Sequence, residues 1–296
     1  MPVLNLESIS IFHQVDNFVK SILNQHSSQR SIDILSVVST LNQFQRSFFE
    51  IYDNDYCYSR TIDAFVGASH ACIGEILLSE YIWNAESANR FIYYLLADEP
   101  LIWSEYNREI KQKNTNRNEL YCYANQVLEK YAKSLVVFVT LSYKKQVRSL
   151  ISLEDFQENM DSLRDLISNR KTCFRDLVGH AWAIEQGIEK GYHCHLWLAY
   201  DGSKRQSDFY IGKEVGEKWV KITNGLGEYH NSNNPETKYS YQQQGRLGIG
   251  RIHRNNLHEI ENAVSTALYL TEPRKCNQYL VVKPSGMKTF GKGVFR

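Results

Sequence analysis

The run Leu135-Val-Val-Phe-Val-Thr-Leu-Ser-Tyr143 constrains the fold more than any other stretch of the chain. It is dense in β-branched and aromatic residues, and it is apolar at odd and even positions alike. That is too apolar for a strand with one wet face, so it is expected at the centre of a sheet. Helical periodicity follows from Ser152 to about Ile167, with Leu153, Phe156, Met160, Leu163 and Leu166. Leu177 to Glu185 and Gly191 to Ala199 read as strands, Asp208 to Ile222 as a helix, Arg246 to His253 as a strand, and Asn256 to about Thr271 as a helix that Pro273 stops. This order predicts an α+β domain, a mostly antiparallel sheet with helices packed on one face.

The first third reads differently. Residues 1 to about 30 are mixed and polar and predict a loosely held lead-in. From there Ile32, Ile34, Leu35, Val38, Leu41, Phe44, Phe48 and Ile51 recur at helical spacing, and further helices are expected over Ser59–Glu80 and Glu86–Ala97. Asp98-Glu-Pro100 reads as a stop. Residues 1–110 are therefore expected to form a small all-helical domain that offers a surface to a protein partner. The stretch 108–119, with four basic side chains and almost nothing apolar, marks the boundary; it reads as a solvated linker or helix end, or as a basic segment that touches a nucleic-acid backbone. Residues 119–296 form the second domain. His70 stands alone in the first third and reads as a structural or surface residue.

Composition excludes some classes. The six cysteines are scattered with no C-x-x-C pair, which argues against a zinc ribbon and a disulfide framework. The start, Met-Pro-Val-Leu-Asn-Leu-Glu-Ser, lacks the regions of a signal peptide, and no window approaches 18 uninterrupted apolar residues. A cytoplasmic protein with no membrane partner is expected. The net charge of +1 leaves open a local basic groove.

The candidate chemistry centres on Gly191-Tyr-His-Cys-His-Leu-Trp-Leu-Ala199. In a strand, residues i and i+2 share a face, so His193 and His195 project side by side while Cys194 points the other way. The preceding strand, His180-Ala-Trp-Ala-Ile-Glu-Gln-Gly187, is joined by a short turn, which predicts a hairpin. Glu185 then lies nearly opposite the pair as a third ligand, and His180 faces away. Two imidazoles and a carboxylate suit a divalent ion, Mg²⁺ or Mn²⁺, with positions left for water and phosphate. On the last helix Leu257, Ile260, Val264 and Leu268 form the packing stripe, and Tyr269 sits at its rim, able to aim its hydroxyl at the metal. Tyr279 is the rival tyrosine. Lys144, Lys145 and Arg148 follow one strand, Arg246, Arg251 and Arg254 flank another, and Lys275, Lys283, Lys288 and Lys292 lie in the tail; these are candidate contacts to nucleic-acid phosphates. Trp197, Tyr200 and Tyr210 are candidates for base stacking, and His253 and His258 for the surface or for DNA contact.

These residues carry a resemblance. Gly-Tyr-His193-Cys-His195-Leu-Trp-Leu, Trp-Ala-Ile-Glu185-Gln-Gly, the helix Ala-Leu-Tyr269-Leu and the closing Gly286-Met-Lys-Thr-Phe-Gly-Lys292 resemble the HUH endonucleases, the rolling-circle replication initiators and related nickases. More narrowly, the chain is similar to the YagK/YfjJ C-terminal domain family of prophages, satellites and inovirus-like elements. The resemblance covers roughly residues 120–296. It implies an HUH/RRM-like sheet, a metal held by His193, His195 and Glu185, and nicking of origin-like single-stranded DNA through Tyr269 with a 5′-phosphotyrosine intermediate. It departs at Glu272, where the superfamily often carries a lysine; Arg274 and Lys275 lie just beyond. That departure leaves a second reading, a nucleic-acid-binding regulator of a mobile element that keeps the fold and does not cleave.

Overall fold

The structure is a computed structural model that describes residues 4–74, 78–187, 190–272 and 280–295. It divides into two compact units, residues 1–110 with 280–287, and residues 111–279 with 288–296. The tail is thus shared between them, whereas the sequence placed all of 119–296 in one domain.

In the first unit, most of the expected lead-in is helix α1 (Leu6–Ser27), opened by Asn5, whose side chain accepts from the N–H groups of Glu7 and Ser8. Ile9, Phe12, Val15, Val19, Ile22 and Leu23 are buried along it, a helical stripe that polar neighbours had masked. Helix α2 (Ile34–Ile51) and helix α3 (Arg60–Ile73) follow, separated by strand β1 (Tyr56–Tyr58). The helix expected to reach Glu80 stops at Gly74, whose φ of 71° is the left-handed turn that glycine permits at a helix end. Helix α4 (Ala85–Ala97) is capped reciprocally by Asn84 and Ser87.

Asp98-Glu-Pro100 starts a helix as well as ending one. Helix α5 (Glu99–Lys130) runs unbroken through the basic stretch 108–119, and the division between the two units falls within that stretch, at 110/111, with a continuous helix in place of the expected linker. Pro100 lies in its first turn, where the missing N–H has no intrahelical acceptor to lose. No glycine or proline follows to interrupt it. The unit is also not all helical, because β1 pairs antiparallel with the later strand β7 (Val282–Pro284).

The second unit is built on strand β2 (Lys133–Tyr143), which is buried along nearly its whole length. Helix α6 (Leu153–Ser168) leads to strands β3 (Leu177–Gly187) and β4 (Gly191–Asp201). Then come helix α7 (Asp208–Ile222), strand β5 (Gly227–Asn231), helix α8 (Pro235–Gln243), strand β6 (Gly250–His253), helix α9 (Leu257–Leu268) and, in the tail, strand β8 (Phe290–Lys292). The sheet is antiparallel in the order β5-β2-β4-β3-β8, with β6 also on β2. Strands β5 and β6 share one edge of β2 end to end. Between them the Asn233 side chain stands in for a strand, accepting from the Phe138 N–H at 2.8 Å and donating to the Val136 carbonyl at 2.9 Å.

Helices cover both faces of this sheet, not one as expected. Leu120, Ala124 and Val127 of α5 and Ile260, Ala263 and Val264 of α9 pack with Val136, Phe138, Ala181 and Trp197 on the first face. On the other, Trp219 of α7 packs edge-on against Tyr143 and Phe156, and Phe156 of α6 stacks on Tyr192. The physical reason lies in β2 and β4, whose side chains are apolar in both directions and cannot leave either face in water.

Close approach of α7 to β5 depends on Gly216, where an added Cβ would fall 2.2 Å from the Tyr229 ring. In an open helix, Gly→Ala stabilises by about 1 kcal/mol. Here Gly216→Ala is expected to destabilise by about 1–3 kcal/mol through overpacking, seen as a lowered midpoint in thermal or urea unfolding.

Candidate metal centre

The β3–β4 hairpin fixes the geometry. Glu185 pairs directly with His193, and His195 lies between Ala183 on one side and Thr140 of β2 on the other. The period of two therefore brings Glu185, His193 and His195 onto one face, as the sequence predicted. All three are buried, at 7%, 1% and 5% exposure. Glu185 Oε2 lies 3.5 Å from His193 Nε2 and 3.3 Å from His195 Nε2. The two imidazole rings are 5.2 Å apart and nearly perpendicular.

The far side of each imidazole is also held. His193 Nδ1 is 3.0 Å from the Gly191 carbonyl oxygen, which only accepts, so Nδ1 carries a proton and Nε2 is the atom turned towards Glu185. His195 Nδ1 is 2.9 Å from Thr140 Oγ1. One ligand atom from each of the three residues lies within 4.8 Å of the others. Ligand atoms around an ion with bonds of about 2.1 Å sit about 3–4 Å apart, so small side-chain rotations close the set. This group could hold a metal ion, and the donor set and the oriented imidazoles fit that role.

Tyr269 opens a single 3-10 turn, Tyr269–Thr271, at the end of α9. Its ring packs edge-on against His195, with centroids 5.3 Å apart, and against Phe138 at 5.8 Å. It is 45% exposed, so one side of the tyrosine meets His195 and the other meets solvent.

The other candidates scatter. Lys144 and Lys145 lie just past one end of β2, roughly 13 Å along from Thr140, and Arg251 pairs with Leu135 roughly 17 Å the other way. Arg254 follows β6, and Arg246 stacks over Tyr241. These cations are exposed and lie towards different ends of the sheet; Lys288, also exposed, sits at the Glu185 end of β3, one residue before Thr289, whose carbonyl accepts from the Ile184 N–H at 2.8 Å. Arg148 is committed to Glu228 and to the Tyr143 carbonyl. Lys275, Arg274 and Tyr279 lie outside the described residues. Trp197 and Tyr200 are fully buried and cannot stack bases, because both faces of β4 are covered; Tyr210 is 65% exposed. Cys194 is buried on the opposite face, where burial and then the Glu185 carboxylate push its thiol up. His253 is tied to Glu259, and His258 lies beside Asn262.

Sequence reasoning missed Thr140. Its signal is the one polar residue among the apolar positions Leu135–Leu141, on the face that β2 shares with the histidines. Comparison with protein-family models, curated proteins and solved structures finds no match for this chain.

Two outcomes follow from these contacts. Thr140→Val removes the hydroxyl that orients His195 while keeping its shape, and is expected to weaken Mn²⁺ binding about 10- to 100-fold in calorimetry. His180 is held down at about 4 by burial, with Arg170 adding repulsion. An unfolded histidine titrates near about 6.5, so as pH falls from there towards 4 the unfolded state takes up a proton that the folded state refuses, and stability drops. Urea midpoints of His180→Gln should show a flatter decline over that interval than the wild type.

Proposed function

We propose that the second unit is a metal-dependent, site-specific nickase of single-stranded DNA, of the HUH endonuclease kind that initiates rolling-circle replication. The observation that carries this reading is His195, with a carboxylate against one side and the Tyr269 ring against another. Lone metal sites need no tyrosine, and a packing tyrosine needs no buried ligand triad. His193, His195 and Glu185 would hold Mg²⁺ or Mn²⁺, which supplies a Lewis acid for a phosphodiester oxygen.

The chain's own part is nucleophilic. The Tyr269 hydroxyl oxygen attacks phosphorus, its proton passes to solvent, and the 3′ oxygen of the preceding nucleotide leaves and is protonated as a free 3′-hydroxyl. The product is a tyrosine joined to the 5′ phosphate of the downstream fragment, which conserves the ester for rejoining. His195 and Phe138 restrict the ring of Tyr269, so little side-chain freedom remains to be lost on reaction.

Glu272 favours a second reading. Its N–H lies 3.4 Å from the Tyr269 carbonyl, which places an acidic residue beside the nucleophile. A protein that binds the nucleic acid of a mobile element and leaves it intact would tolerate that charge better than a nuclease.

Incubation with Mn²⁺ and labelled single-stranded DNA is expected to give an SDS-resistant adduct. Tyr269→Phe, and separately His193→Ala with His195→Ala, should abolish it. Retention of intact DNA with no adduct in the wild type would transfer the assignment to the non-cleaving regulator.

A further inference from the structure

The helix end that carries Tyr269 is a poor place to bring a phosphate. Tyr269 follows the last residue of α9, where the aligned peptide dipoles gather the partial negative charge of the helix; the Leu268 carbonyl there accepts from the Thr271 hydroxyl at 3.1 Å. Glu272 adds a carboxylate within the same turn. A phosphodiester arriving at the tyrosine hydroxyl meets both, and the buried ligand triad adds a further carboxylate in Glu185. Whatever acts on an anion here needs a cation on the Tyr269 side as well as on the histidine side.

Such a cation comes from another helix. Arg117, half-buried on α5, points its guanidinium Nη1 at the Leu268 carbonyl oxygen at 3.2 Å, one residue before Tyr269. A guanidinium has five N–H donors, and one carbonyl takes one of them. The remaining donors form the planar fork that matches two phosphate oxygens. Arg117 belongs to the basic stretch 108–119, and because α5 is continuous the helix carries this side chain to the end of α9.

Resting on the reading of Tyr269 as the attacking group, we infer that Arg117 is the phosphate-binding cation of the nicking site. It cancels the carbonyl charge at the end of α9 and grips the non-bridging oxygens of the phosphate that Tyr269 attacks. Arg117 makes and breaks no covalent bond; its part is to neutralise charge as the phosphorus gains a fifth oxygen.

The competing explanation is that Arg117 only caps α9, and two variants separate the roles. Arg117→Gln keeps an N–H donor for the Leu268 carbonyl and removes the charge, while Arg117→Lys keeps the charge. Each is compared with the wild type for thermal midpoint, for the salt dependence of binding to a short labelled single strand, and for the single-turnover rate of adduct formation with Mn²⁺. Arg117→Gln is expected to keep the wild-type midpoint, to lower the slope of log affinity against log salt by about 0.7, the share of one phosphate contact, and to slow the adduct about a hundredfold. Arg117→Lys should restore the slope and most of the rate.

A wild-type slope in Arg117→Gln overturns the assignment, whether or not any adduct forms. A reduced slope with an unchanged adduct rate also overturns it, by placing Arg117 on DNA away from the scissile phosphate. Absence of adduct in the wild type itself defeats the nickase reading alone, and the salt slope then decides whether Arg117 binds phosphate.

Discussion

Strand β4 is hydrogen-bonded along both edges and covered on both faces, and the arrangement of the Glu185, His193 and His195 group depends on that confinement. Two histidines and a glutamate are taken out of water on this strand and its neighbour, where a charge without compensation is costly. The hairpin register gathers the Glu185 carboxylate and both Nε2 atoms at one point, and Thr140 and the Gly191 carbonyl fix the opposite side of each ring. A divalent cation at their focus would balance the carboxylate and use both lone pairs. In a low-dielectric surrounding such a charge acts strongly on whatever approaches.

The same confinement explains the division of labour around the centre. The rigid members sit on paired strands, where backbone hydrogen bonds hold side-chain direction closely. Tyr269 sits instead where α9 tightens into a 3-10 turn, partly in solvent and partly against His195 and Phe138. A tyrosine at such an edge can meet a solute from solvent, which a fully buried one could not. Trp197 and Tyr200, two and five residues beyond His195 on the same strand, are buried for the converse reason and serve packing.

Much of the second unit was legible in the sequence because short-range periodicity encodes it. The strands β3 and β4, the helices α6, α7 and α9 and the facing of Glu185, His193 and His195 all follow from periods of two and 3.6. The misreadings have particular causes. In α1 the buried stripe is diluted by Ser, Gln and Asn between its members, so composition hid the period. Pro100 was taken as a terminator although a first-turn proline is harmless. Burial of both faces was implied by Leu135–Tyr143, but the count of helices on each face depends on which of them return to which side.

The sequence by itself determined that two imidazoles share a strand face and that a carboxylate lies one short hairpin away, because alternation and a tight turn are local properties. It did not determine that Thr140 would stand behind His195 or that Arg117 would reach the end of α9. Those pairs are 55 and 151 residues apart along the chain. Their meeting depends on the register of β2 against β4 and on where two helices cross the sheet. Only burial of both faces of the sheet selects those positions, since it is the packing of the whole unit, and no local pattern, that decides which distant side chains come within hydrogen-bonding reach.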